Sequence, residues 1–114
     1  MLDWLQYRNE LLGRISDIGQ LSPGTVAGYQ ALSGAGAGTG HLDAKTRELI
    51  ALAVAVTTRC DGCITVHAGE AVKHGASEAE IAEALGVVVA LNAGAALVYL
   101  ARALDAVKAH EAAG

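Results

Sequence analysis

Apolar residues recur along most of this chain at the spacing of an α-helix. Over residues 2–18, leucines and isoleucines alternate with charged side chains in a pattern that predicts an amphipathic first helix. Ser22 followed by Pro23 is a typical helix start and predicts a short second helix that ends near Ser33. Glycine then alternates with small residues from 34 to 40. This segment predicts a flexible connector, because the lysine of a phosphate-binding loop is missing and no strand precedes it.

The middle of the chain predicts two helices around a pair of cysteines. Asp43 is a typical N-cap for a third helix that runs to about residue 58. The length and charged first turn of this segment favour a helix over a buried strand. A fourth helix opens around Cys60 and stops at Gly75, since glycine readily adopts the left-handed conformation that ends many helices. The thiols are therefore expected at the start of the fourth helix.

The last part of the chain contains the clearest local signal. Residues 77–80 are Ser-Glu-Ala-Glu, a capping box that starts a fifth helix running to about Leu91. Residues 92–94 predict a break or kink, after which leucines at helical spacing continue as a last helix to the C-terminus. No strand-turn-strand signal appears. The pattern predicts an all-α fold, a compact helical domain of about six helices.

Length and charge narrow the classes to which the chain can belong. We expect one domain over residues 1–114, with N-terminal helices over 1–33 and a core over 40–110, because this length supports a single core. The net charge is −4 and the eight basic residues are scattered along the chain. A nucleic-acid partner is therefore not expected, since binding one needs clustered lysine and arginine.

The distribution of apolar residues indicates whether the protein lies in the cytoplasm or in a membrane. The N-terminal residues contain no apolar signal-peptide core, which predicts a cytoplasmic protein. Residues 84–101 carry no charge and approach the roughly 20 residues of a membrane-spanning helix. However, Gly86, Asn92 and Gly94 interrupt them, and no aromatic or basic flank marks their ends. We expect no membrane partner, and expect instead helices buried in the domain and against neighbouring subunits.

Four residues carry the candidate chemistry. Cys60 and Cys63, the only cysteines, are spaced so that two thiols can close a small disulfide ring. His67 falls one helical turn after Cys63, where an imidazole can accept the thiol proton, and Glu48 can hold its other ring nitrogen. A helix N-terminus favours the thiolate. Such a thiolate attacks the O–O bond of a hydroperoxide or the S–S bond of a partner, and Cys60 then closes the disulfide.

Two other interpretations of the cysteine pair stay open, namely half a zinc site or inert buried thiols. A structural zinc needs four ligands, and His41, His74 and His110 are distant in sequence. Neither a metal site nor a cofactor is predicted. The large aromatic residues are too dispersed for a cofactor site and are interpreted as packing or interface residues: Trp4, Tyr7, Tyr29 and Tyr99.

The spacing of Glu48, the cysteine pair and His67 resembles the signature of a known family. With the flanking segments 42–50 and 74–85, it is similar to the alkyl hydroperoxidase D branch of the carboxymuconolactone decarboxylase superfamily. The resemblance covers about residues 40–105. It implies an all-helical fold, a homo-oligomer (commonly a trimer or hexamer) and thiol-dependent peroxidase activity.

The resemblance also implies a role for each site residue. Cys63 corresponds to the cysteine that attacks the peroxide, Cys60 to the one that resolves it or meets the redox partner, and Glu48 with His67 to the proton relay. We therefore expect a hydroperoxide substrate. The expected reductant is a dithiol such as lipoamide or a thioredoxin-like protein.

This chain departs from the family pattern between its cysteines. The best-studied branch resembles Cys-Ser-His-Cys, whereas Gly62 stands here in place of the histidine. Asp61 adds a negative charge that opposes thiolate formation, and Arg59 is placed to offset it. We expect a weaker peroxidase or one tuned to another oxidant or reductant. Two rivals are a lyase acting on a carboxylated lactone, as the superfamily name suggests, and a redox adaptor or sensor passing electrons to a peroxiredoxin.

Overall fold

The chain folds into five α-helices with no strand. The computed structural model describes all residues, 1–114. The helices are α1 (Trp4–Leu21), α2 (Pro23–Thr39), α3 (Ala44–Thr58), α4 (Asp61–Lys73) and α5 (Glu78–Ala113). The all-helical prediction is confirmed, but the number of helices is five rather than about six.

The predicted helix ends follow from local capping. The Asp43 carboxylate accepts the Thr46 N–H at 2.8 Å, and hydrogen bonding by the Thr46 side chain and then by its backbone lowers the pKa of Asp43. Ser77 and Glu80 accept from each other's backbone N–H at 3.0 Å, so the capping box is confirmed. Gly75 follows α4 with φ at +86°, the left-handed conformation predicted for it.

The glycine-rich segment is helical, so the prediction of a flexible connector over residues 34–40 is wrong. Helix α2 continues past Ser33 to Thr39 and ends at Gly40, whose φ is +73°. Alanine, the best helix former, alternates here with glycine and offsets part of its cost of about 1 kcal/mol per residue. The Thr39 hydroxyl also donates to the Gly36 carbonyl at 2.9 Å within the last turn.

The predicted break at residues 92–94 is also wrong, and this accounts for the missing sixth helix. Helix α5 runs without interruption for 36 residues. The Asn92 amide donates to the Val88 carbonyl at 2.9 Å, one turn back on the same helix, so the side chain is bonded within α5 and does not cap a new helix. The alanines and leucines around Gly94 favour helix strongly enough to carry it through the glycine.

Helix α4 lies at the centre of the packing. It contacts α3 on one side and α1 on the other, α3 also contacts α5, and α2 packs on α1. Only five residues are buried in the chain: Leu52 and Ala55 on α3, Thr65 and Ala71 on α4, and Val88 on α5. The buried core is therefore small and consists of helix-contact positions around α4.

The expectation of a compact domain does not hold for the single chain. Its radius of gyration is 19.2 Å, whereas a compact domain of this size has about 13 Å. The long dimension is 58 Å because much of α5 extends beyond the other helices. Large apolar side chains on this extension are exposed, namely Leu97, Val98, Tyr99, Leu100, Leu104 and Val107.

Helix α5 is long and apolar enough to span a membrane. Its most apolar window has a mean hydropathy of 2.1, and only 6% of that window is buried in the chain. A helix that packs between subunits passes the same test of length and composition. The expectation that residues 84–101 are buried in the domain holds for Val88 and not for most of the stretch.

Candidate functional site

The short turn between α3 and α4 positions the cysteines. Arg59 ends α3 in the left-handed conformation, with φ at 60°, and is the only non-glycine residue with a positive φ. Cys60 follows as the N-cap of α4, and its N–H donates to the Ala55 carbonyl at 3.0 Å. The Cys60 sulfur in turn accepts the Cys63 N–H at 3.1 Å. Both sulfurs therefore lie at the positive end of α4, as the sequence predicts.

The two cysteines form a disulfide in this structure. Their Cα atoms are 5.2 Å apart, within the range that a disulfide needs, so the bond closes within one helical turn. No group of three or more histidine, cysteine, aspartate or glutamate side chains gathers around them or elsewhere in the chain. The single chain does not assemble the four ligands that a structural zinc requires.

His67 and Glu48 meet across the contact between α4 and α3. Their Nδ1 and Oε2 atoms are 2.7 Å apart, and their side chains are 26% and 19% exposed. When Nδ1–H donates to the carboxylate, the neutral ring presents Nε2 as a proton acceptor. The structure thus brings together the pair that the sequence proposed as a relay. Their catalytic roles remain predictions.

The disulfide and His67 line one cavity of about 400 Å³. Its opposite wall comes from the N-terminal helices: Tyr7, Leu11 and Ile15 of α1 and Tyr29 of α2. From the sequence, both tyrosines are interpreted as packing or interface residues, and α1 is not connected with the cysteines. The signal was present in the i, i+4 spacing of residues 7, 11 and 15, which places them on one face of α1.

Gly62 is the point at which α1 approaches the cysteine turn. A Cβ atom at Gly62 would lie 2.7 Å from Leu11 Cδ2, closer than atoms approach without one of them moving. The Tyr7 hydroxyl lies 3.9 Å from the same position. The space that a side chain would enter between the cysteines is therefore occupied by residues of α1.

A hydrogen bond fixes α1 on α4 beside this cavity. The hydroxyl of Thr65, the only buried polar residue, donates to the Trp4 carbonyl at 2.9 Å. A larger cavity, of about 840 Å³, lies next to this contact and includes Trp4 and Leu5 in its lining. None of Glu48, the cysteines or His67 lines it. The smaller cavity is therefore the candidate site, because the cysteines and His67 line it and Glu48 is hydrogen-bonded to His67.

Comparison with known proteins decides the family. Residues 23–106 match the carboxymuconolactone decarboxylase family. The chain belongs to this family. The match begins at α2, whereas the resemblance in the sequence was expected from about residue 40.

A solved relative from the carboxymuconolactone decarboxylase family shares the fold. The crystal structure of apo-lpg0406, a protein of this family from Legionella pneumophila, superposes with a TM-score of 0.74 at 34% sequence identity. The similarity covers 90% of this chain and 91% of that one. The family fold therefore extends over nearly the whole chain, including most of the N-terminal helices.

Two sequence relatives also match most of the chain. An uncharacterized protein of Haemophilus influenzae is 54% identical over 110 residues, covering 96% of this chain and 97% of that protein. An uncharacterized protein of Cupriavidus necator is 32% identical over 95 residues, covering 83% of this chain and 84% of that protein. These relatives extend the family assignment without adding an activity.

Proposed function

We propose that this protein is a thiol-dependent peroxidase that reduces hydroperoxides through Cys63 and Cys60. The observation that carries the proposal is that the disulfide between them lies in the same cavity as His67. The His67 ring is in turn hydrogen-bonded to Glu48. This combination provides a reversible two-electron couple and a proton carrier. A family that includes both decarboxylases and peroxidases is compatible with it.

The proposed cycle begins with both cysteines reduced. His67 accepts the Cys63 proton, and the Glu48 carboxylate stabilises the resulting imidazolium. The Cys63 thiolate attacks the terminal oxygen of the hydroperoxide, so that an S–O bond forms as the O–O bond breaks. The products are a Cys63 sulfenic acid and an alcohol, whose proton comes from His67. The Cys60 thiol then displaces water from the sulfenic acid and closes the disulfide.

A dithiol reductant completes the cycle. One of its thiolates attacks the disulfide to give a mixed disulfide, and its second thiol releases the two reduced cysteines. Lipoamide or a thioredoxin-like protein supplies this chemistry. No cofactor enters the proposed reaction, in which two electrons pass from the dithiol through the cysteines to the peroxide.

Stopped-flow peroxide consumption with a panel of dithiols tests the proposal. We expect catalytic turnover by the wild type and none by Cys63→Ser. Cys60→Ser should react with one equivalent of peroxide and stop at the sulfenic acid, because the resolving thiol is gone. Wild-type protein whose cysteines are not oxidised by either hydrogen peroxide or an organic hydroperoxide would contradict the proposal.

The family name supports a second candidate, a lyase that decarboxylates a carboxylated lactone. Activity on such a lactone that is unchanged in Cys63→Ser would favour the lyase, since the proposed peroxidase needs that sulfur. The redox adaptor is distinguished from both enzymes by its dependence on a partner protein. It would show little turnover with peroxide alone and would form a mixed disulfide through Cys60 with a peroxiredoxin.

We also propose that the chain works as a cytoplasmic homo-oligomer, a trimer or hexamer. The exposed apolar residues of α5 and the elongated shape of the single chain support an assembly that covers this helix. A soluble chain with this surface uncovered would be prone to aggregate. Sedimentation of the purified protein in the absence of detergent tests both the assembly and its solubility.

A further inference from the structure

A hydroxyl group of α1 faces the cysteine cavity without a partner in the chain. Tyr7 lines the cavity with Cys60, Cys63 and His67. Its oxygen lies 3.9 Å from the position of a Cβ atom on Gly62, one of the two residues between the cysteines. Among the hydrogen bonds of the chain, none involves this hydroxyl. Its donor capacity is therefore free for a bound molecule.

We propose that Tyr7 is a further catalytic residue, whose hydroxyl donates a hydrogen bond to the oxygen that leaves when Cys63 attacks a hydroperoxide. This inference rests on the proposed peroxidase function. As the O–O bond breaks, the leaving oxygen acquires negative charge that a positioned donor stabilises. Tyr7 keeps its own proton throughout, and the proton that converts the alkoxide to an alcohol comes from the His67 imidazolium.

Few other side chains in the cavity wall could donate a hydrogen bond to the leaving oxygen in place of Tyr7. Most of the other lining residues are apolar, and an ionised Asp61 carboxylate accepts hydrogen bonds without donating them. Tyr29 also lines the cavity but is 63% exposed, so water competes for its hydroxyl. Tyr7 is more sheltered than Tyr29.

The position of Tyr7 is fixed by the packing of α1. The Thr65 hydroxyl binds the Trp4 carbonyl at 2.9 Å, one turn before Tyr7. One turn after it, Leu11 packs against the space beside Gly62. Contacts on both sides therefore hold the tyrosine over the cysteine turn, which is the preorganisation that a hydrogen-bond donor needs to be effective.

The test compares two reactions of the same sulfur. In a Cys60→Ser background Cys63 is the sole thiol, so its sulfenic acid can be trapped with dimedone and measured by mass spectrometry. We expect Tyr7→Phe to slow sulfenic acid formation with cumene hydroperoxide about tenfold, below the 10²–10³ typical of an enclosed oxyanion donor. Alkylation of Cys63 by iodoacetamide should keep its rate, because departing iodide is a weak hydrogen-bond acceptor.

The outcomes separate a catalytic role from a structural one. Tyr99→Phe on α5, where the ring lies against Arg102, is the matched control and should retain the parental rate with peroxide. An unchanged peroxide rate in Tyr7→Phe, or an equal loss of both reactions, would overturn the role of Tyr7 alone. A parent protein that forms no sulfenic acid with any peroxide would overturn the peroxidase function and this inference with it.

Discussion

The imidazole of His67 and the carboxylate of Glu48 are joined by a contact of 2.7 Å between Nδ1 and Oε2. The two residues are 19 positions apart and lie on different helices, so the contact depends on the packing of α3 against α4. His67 also shares a cavity with the Cys60–Cys63 disulfide. The arrangement places the disulfide beside the histidine that we propose as its proton carrier, and this proposed link can be tested separately from turnover.

Removing either member of the pair should make the reduced Cys63 less reactive at neutral pH. In His67→Gln the thiolate loses its stabilising imidazolium, and in Glu48→Gln that imidazolium loses the carboxylate that stabilises it. We expect alkylation by iodoacetamide at pH 7 to slow about tenfold in each. The measurement is the pH profile of alkylation in a Cys60→Ser background, which should move to higher pH in both variants.

Another histidine–glutamate pair on α4 provides the control. His74 Nε2 and Glu70 Oε2 lie 3.6 Å apart, and neither residue lines the cysteine cavity. Glu70→Gln should leave the alkylation profile of Cys63 in place. A profile that stays the same in Glu48→Gln and His67→Gln would refute the proton relay.

The contact between Leu11 and Gly62 should make two glycine substitutions on α4 differ in their free energy of unfolding. Gly62→Ala brings a Cβ against Leu11, whereas Gly69→Ala meets nothing within 4 Å. Both gain helix propensity, but only the first must displace a side chain. We expect Gly62→Ala to be less stable than Gly69→Ala by about 1 kcal/mol in urea unfolding, at the lower end of overpacking costs because the Leu11 terminus can rotate.

A Leu11→Ala background tests whether this difference comes from the proposed contact. With the leucine shortened, the cost specific to Gly62→Ala should disappear, and the two glycine variants should have similar free energies of unfolding. If the difference persists in that background, its source is the helix start and not the approach of α1.

Charges at two positions of α5 should act in different ways. Val88 is 8% exposed and belongs to the core, so Val88→Asp should lower the free energy of unfolding by about 3 kcal/mol or more. Leu97 is 68% exposed in the chain, and Leu97→Asp should instead reduce the mass of the assembly. Light scattering after gel filtration and thermal unfolding measure the two effects.

Asn9→Asp adds the same charge at an exposed position of α1 and should leave the mass and the melting temperature as in the wild type. If Leu97→Asp also keeps both values, the exposed face of α5 is not an assembly surface. The polar control ensures that any change is attributed to the site and not to the added charge.

The ion pair between α3 and α5 predicts a specific pH dependence. Lys45 Nζ lies 2.7 Å from Glu80 Oε2. This hydrogen bond is the largest cause, and the Ser77 N–H the next, of a Glu80 pKa lowered to about 2. The same bond raises the pKa of Lys45. Because the pKa of Glu80 is lower in the folded protein, the carboxylate stabilises the fold at pH values above 4.5, the pKa of the unfolded chain. This contribution is lost as the pH falls towards 2. Lys45→Met should therefore be less stable than the wild type at pH 7, and the difference should vanish near pH 2.

Urea unfolding between pH 7 and 2 measures this difference. Lys108→Met is the matched control, because Lys108 is exposed and forms no ion pair, and it should change stability little at either pH. A deficit of Lys45→Met that is the same at both ends of the range would show that the pair does not contribute through the charge of Glu80.

The two wrong helix predictions share one physical cause. The glycines of residues 34–40, and Asn92 with Gly94, have low helix propensity, which predicts that a helix ends there. Their neighbours continue the helix through them in the folded chain. Alanine-rich neighbours supply enough helix stability to continue through them, and the Asn92 amide bonds within α5, to the Val88 carbonyl. Strong caps such as Asp43 and the Ser77–Glu80 box were predicted correctly because their partners lie within three residues.

The sequence alone determined the all-helical class, the caps of α3 and α5, and the four candidate residues from Glu48 to His67. These features depend on spacings within a helix or on a recognisable order of residues, so neighbouring positions carry the information. Only the tertiary structure decided that α1 covers the cysteine turn, with Tyr7 and Leu11 beside Gly62. That contact joins positions more than 50 residues apart, and its geometry follows from how the helices pack and not from any local pattern.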